Sequence, residues 1–129
     1  MATAFPERSV QYWLEMLRDH SIKRRRQAVE ALGAIGYPAV IGIVRFYRDG
    51  RSADRYWALR ALERIGPHAR DAIPVIKVAL KSEHAEIRAA ARAALENIDP
   101  KAAGQVLGFW YRVRRWIRRH GLIRRRHAT

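Results

Sequence analysis

The sequence predicts an all-α fold: a short right-handed superhelix of about three helix pairs, followed by a basic amphipathic helix that caps its C-terminal end. Three observations predict it. A twelve-residue pattern recurs three times without gaps in the first hundred positions, an apolar helical segment precedes each copy, and the last thirty residues carry most of the excess charge on a helix with one apolar face.

The recurring stretches are "RRQAVEALGAIG" (25–36), "RYWALRALERIG" (55–66) and "RAAARAALENID" (88–99). They begin at Arg25, Arg55 and Arg88, spaced by 30 and 33 residues, and place Ala28, Leu32 and Ile35 in register with Ala58, Leu62 and Ile65 and with Ala91, Leu95 and Ile98. Offsets of three and four put these side chains on one stripe of an amphipathic helix. Upstream, the same offsets align Trp13, Leu14, Met16 and Leu17 with Ile43, Val44, Phe46 and Tyr47, and with Ile76, Lys77, Ala79 and Leu80, the first helix of each pair. "RDHS", "RDGRS" and "KSEH" are the turns between, with Ser21, Ser52 and Ser82 placed to cap the second helix of each pair. Pro38 opens the second pair; Asp71 can cap the third, where Pro74 is tolerated in the first turn. A unit of this size buries its apolar face only by stacking on a neighbour, so the expected solenoid occupies residues 1–99, in pairs of about 9–36, 38–66 and 71–99.

The pattern of Arg, two residues, Ala, then Ala-Leu, two residues and Ile-Gly, after an apolar helix, resembles HEAT repeats, in particular the short bacterial variety also seen in phycobilisome lyases. The resemblance covers residues 9–99. It implies a binding scaffold or adaptor for another protein. The family's Asp and Arg, six apart, stand here as Asp19 with Arg25 and Asp49 with Arg55, and the resemblance implies a ladder of these residues between adjacent repeats. The third repeat departs, with Ser82 six positions before Arg88.

The formal charge is +14, and its placement is uneven. Residues 1–99 hold 17 basic and 12 acidic groups, whereas residues 100–129 hold 9 basic and none acidic, which points to an anionic partner for the C-terminal end. GC-rich coding would account for 22 of the 26 basic residues being Arg, but not for the missing acids. There are no cysteines, which excludes disulfides, thiolate metal sites and cysteine nucleophiles. No apolar run approaches a membrane span, and "MATAFPERSV" lacks the apolar core of a signal peptide, so the expectation is a soluble cytoplasmic protein.

From Asp99 as cap and Pro100 at the first helical position, a helix is expected over 100–120, with 121–129 a basic tail. At about 100° per residue, Val106, Phe109, Trp110, Val113, Trp116, Ile117 and His120 share one arc, opposite Arg112, Arg114, Arg115, Arg118 and Arg119. If the aromatic stripe caps the third repeat, with Trp110 and Trp116 holding the helix on the solenoid, the arginines face water as a phosphate-binding strip, extended by Arg124, Arg125 and Arg126. These eight arginines are the candidate polyanion-binding residues, with nucleic acid, DNA or RNA, the first partner; an acidic protein or an anionic membrane surface would use the same charges. A secondary surface is expected at Arg24, Arg26, Tyr56 and Trp57, the last two being large rings where the repeat pattern does not require them. The competing expectations are a solvated helix end for the arginines and burial for the rings.

For catalysis there is little to assemble. His20, His68, His84, His120 and His127 are scattered, there is no His-Glu dipeptide of the kind used by di-iron HEAT hydroxylases, and the capping serines make no specific nucleophilic set. HEAT-like DNA glycosylases of alkylation repair are the remaining enzymatic analogy, for which three helix pairs leave little room. A non-catalytic protein with no catalytic residues, cofactor, metal or small-molecule substrate is expected.

Overall fold

The computed structural model describes residues 9–121, the side chains of 109–111 excepted. Seven α-helices follow one another: α1 (Val10–Met16), α2 (Ile22–Ile35), α3 (Val40–Asp49), α4 (Ser52–Ile65), α5 (Ile73–Ala79), α6 (Ala85–Ile98) and α7 (Pro100–His120). Short 3-10 helices, Tyr37–Ala39 and Gly66–Ala72, lead into α3 and α5. The chain is an all-α solenoid of HEAT-like helix pairs, α1 with α2, α3 with α4 and α5 with α6.

The second helices form the spine. α4 packs on α2 and on α6 along its length, whereas the first helices touch one another much less. The repeat pattern explains this asymmetry. Ala28, Ala58 and Ala91, like Ala31, Ala61 and Ala94, are wholly buried, and their small side chains let neighbouring axes approach. Beside them Leu32, Leu62 and Leu95 are fully enclosed, each contributing on the order of 1.5–3 kcal/mol by burial. Ile43 and Ile76 do the same from the first helices.

The Ile-Gly that ends the first two repeats is a backbone device. Gly36 and Gly66 take φ of 78° and 77°, a region that disfavours side chains, and their N–H groups bond the Leu32 and Leu62 carbonyls. In the third repeat Asp99 stands there with φ of −152°, and its carboxylate instead accepts the Ala102 N–H at 3.1 Å to cap α7. Capping by serine holds only in part. Ser21 accepts the Arg24 N–H, but before α4 the Arg51 N–H goes to Asp54, while Ser52 bonds His84 of the next repeat at 3.1 Å and Ser82 accepts the His84 N–H.

The C-terminal helix departs from the expected continuous cylinder. Its first limb docks, but through Ala102, Ala103 and Leu107 and not through the expected arc, whose Val106 is 39% exposed. Gly108 then adopts φ 76°, ψ −164°, a combination open in practice to glycine alone, and interrupts the helix. Beyond the break the second limb turns back along the first, and the Arg112 guanidinium donates to the Gly104 carbonyl at 3.0 Å. The expectation that Trp116 holds the helix on the solenoid is therefore overturned: beyond the change of direction at Gly108 its side chain is 52% exposed. Trp110 and Arg124 to Arg126 lie outside the described side chains.

Candidate nucleic-acid interface

Arg112, Arg114, Arg115, Arg118 and Arg119 project from the second limb of α7, and all five are exposed. None forms an ion pair with a described residue. In the solenoid several cations do have carboxylate partners: Arg18 pairs with Asp54 at 3.2 Å, Arg64 with Glu30 at 2.8 Å and Arg70 with Asp99 at 2.9 Å.

The folding back of α7 creates a groove of about 470 Å³ between its limbs, lined by Pro100, Lys101, Gly104 and Gln105 on one side and Arg112, Arg115, Trp116 and Arg119 on the other. Among the described residues no carboxylate lines it. On the far side of the second limb, Arg115, Arg118 and Arg119 border a second depression with Glu63, Glu96 and Asn97. His120 packs against Trp116 with ring centroids 4.6 Å apart, and its Nδ1 lies 2.9 Å from the Trp116 carbonyl.

At the secondary surface the structure separates the four residues. Arg24 and Arg26 are exposed at the start of α2, with Arg24 3.7 Å from Asp19. Tyr56 and Trp57 are partly buried against the core and meet edge to face, centroids 5.2 Å apart. The guanidinium of Arg25 lies 5.3 Å from the Trp57 ring centre, and Arg60 donates to the Tyr56 hydroxyl at 2.7 Å. Trp57 thus covers the repeat arginine of its neighbour, a role the repeat register could have suggested, since the third repeat has alanine at that position.

The Asp-Arg ladder takes another form. Neither Asp19 with Arg25 nor Asp49 with Arg55 comes within ion-pair distance. Instead the arginines donate to backbone carbonyls at or just after the end of the preceding first helix: Arg55 to Tyr47 at 3.0 Å and Arg48 at 3.4 Å within α3, Arg25 to His20 at 3.4 Å and Arg88 to Ser82 at 2.7 Å in the turns that follow α1 and α5. A guanidinium offers five donors to whatever carbonyls lie within reach, so the interaction needs no carboxylate at any fixed place. This is why the third repeat keeps the interaction with serine in the aspartate position.

The PBS lyase HEAT-like repeat model matches residues 24–45 and 54–82. Over these residues the chain resembles HEAT-like repeat proteins. None of the curated proteins matches its sequence. The HEAT-like match spans α2 into α3 and α4 to the turn before α6, so the recurring arginine interaction extends the repeat to a third unit.

Sequence reading missed two features of this HEAT-like chain. Between-repeat ties run at a spacing of 34, from Arg64 to Glu30, from Asn97 to the Glu63 carbonyl and from Tyr37 to Asp71. A large groove of about 1130 Å³ also opens where Ser52, Lys77, Lys81 and His84 face Leu80, Ile87, Val106 and Leu107. Its signal lay in Lys77 and Lys81, one helical turn apart. Among the described residues no cluster of three His, Asp or Glu is placed to hold a metal, and no single helix is long and apolar enough to cross a membrane.

Proposed function

We propose that this HEAT-like scaffold is a non-catalytic adaptor whose C-terminal helix and tail engage a polyanion, nucleic acid first. The observation that carries the reading is the row of five exposed arginines on α7 without ion pairs among the described residues, beside solenoid cations such as Arg18, Arg64 and Arg70 that have carboxylate partners. A cation already paired gains little from a phosphate, whereas an unpaired guanidinium releases counterions and offers bidentate hydrogen bonds.

A second reading, an adaptor for an acidic protein segment, is favoured by the larger groove. Lys77 and Lys81 stand there without ion pairs among the described residues, beside the apolar Leu80, Ile87, Val106 and Leu107. A pull-down of the full chain with and without nuclease separates the two. Co-purifying nucleic acid supports the first, and a protein partner that survives nuclease supports the second and sinks the first.

A further inference from the structure

The groove between the limbs of α7 combines two features that rarely meet by chance. One is a tryptophan 52% exposed, and the other is a lining of Lys101, Arg112, Arg115 and Arg119 with no acid among the groove residues. Trp116 stands at the edge of the apolar arc, four residues after Arg112 and three before Arg119, so its ring borders the cations that line the groove. The ring takes no part in the buried core of the solenoid, and its one described ring contact is with His120 at 4.6 Å.

We infer that this groove binds single-stranded nucleic acid, a base stacking on Trp116 while backbone phosphates meet Arg115, Arg119 and Lys101. This rests on the polyanion reading and narrows it. Stacking requires a base whose face is free, and a duplex presents base edges, so an exposed indole between cations fits an unpaired strand. Gln105, on the opposite limb, offers both a donor and an acceptor for a base edge. Arg112 spends one Nη on the Gly104 carbonyl and holds the two limbs at the width of the groove, keeping its other donors.

The test is fluorescence anisotropy at about 50 mM salt with the full chain, using labelled oligothymidylate of about 15 nucleotides and a duplex of the same length. The single strand is expected to bind more tightly. Trp116→Ala should weaken single-strand binding about tenfold or more, leave duplex binding and the melting temperature nearly unchanged, and Trp116→Phe should restore most of the loss. If the parent binds both probes and Trp116→Ala binds the single strand as the parent does, the stacking site is wrong while the polyanion reading stands. If the parent binds neither probe, both fall. Loss of binding to phosphatidylserine-containing vesicles in Trp116→Ala, with oligonucleotide binding unchanged, overturns the inference in favour of a membrane surface.

Discussion

Arg55 Nε donates to the Tyr47 carbonyl at 3.0 Å, so a side chain from the second helix of a pair closes the open end of the first. The same guanidinium lies 5.0 Å from the Tyr47 ring centre, and Arg88 repeats the carbonyl interaction on Ser82 one unit later. The Tyr47 carbonyl also accepts the Gly50 N–H at 3.3 Å, and the charge-assisted bond from Arg55 adds about 1.5–3 kcal/mol, more than an exposed ion pair. Arg55→Ala should therefore lower unfolding free energy by about 2 kcal/mol, measured by urea denaturation. Asp49→Asn should change it by less than about 0.5 kcal/mol, because Asp49 does not pair with that arginine. Equal losses from the two variants would restore the Asp-Arg ladder.

Tyr47 is buried, and desolvation raises its pKa above the ordinary tyrosine value, with the nearby Arg55 charge opposing in part. A raised pKa means that the folded state holds the phenol proton longer than the unfolded chain. Its contribution to stability is fully present below the unfolded value near 10 and is lost as pH rises through the folded one. The melting temperature of the parent should accordingly fall more steeply above pH of about 10 than that of Tyr47→Phe, measured in parallel to remove the titration of the lysines. Parallel curves would show that the phenol stays solvated.

The break at Gly108 sets where the arginines lie. A continuous helix would separate residues 101 and 119 by about 27 Å, and the folded-back limb brings Lys101 and Arg119 to the same groove. No described atom lies within 4 Å of a Cβ built on Gly108, so Gly108→Ala meets only the backbone penalty of its positive φ. Spin labels at cysteines introduced at 101 and 119 should report a short distance in the parent and a distance approaching that of a straight helix in Gly108→Ala. A long distance in both would place the arginines on an extended rod.

The solenoid was legible because its signal is periodic. Ala28, Leu32 and their counterparts recur at offsets that admit one helical face, and they are the residues buried in the spine. The Asp-Arg ladder was misread because a residue pair six apart specifies proximity along the chain and not the partner. Arg55 found carbonyls nearer than any carboxylate. The C-terminal limb was misread for a different reason. A helical wheel assumes unbroken 3.6-residue periodicity, and a single glycine in an amphipathic run weakens the helix by only about 1 kcal/mol relative to alanine, too little for the wheel to register. Whether such a glycine bends the chain depends on what the first limb packs against. Here Leu107, just before the break, is the last of the described side chains that packs on the core.

The arginines of α7 and its tail give the sharpest separation of stability from binding. Arg112, Arg115 and Arg119 make no ion pair among the described residues, and with Arg124, Arg125 and Arg126 they form a sixfold set whose replacement by Gln removes six like charges. The melting temperature should stay within a few degrees of the parent or rise, since crowded exposed cations contribute little or repel. Affinity for nucleic acid should fall for every sequence alike, because phosphate interactions carry no sequence information. The slope of log affinity against log salt should flatten by roughly 0.7 for each phosphate no longer neutralised on a single strand, and by roughly 0.9 on a duplex. Arg112→Gln alone is the informative outlier, since it also releases the Gly104 carbonyl and loosens the groove; its loss on the single strand should exceed its loss on the duplex. Unchanged affinity and slope in the sixfold variant would end the polyanion reading and leave the lysine-lined groove of Lys77 and Lys81 as the adaptor surface.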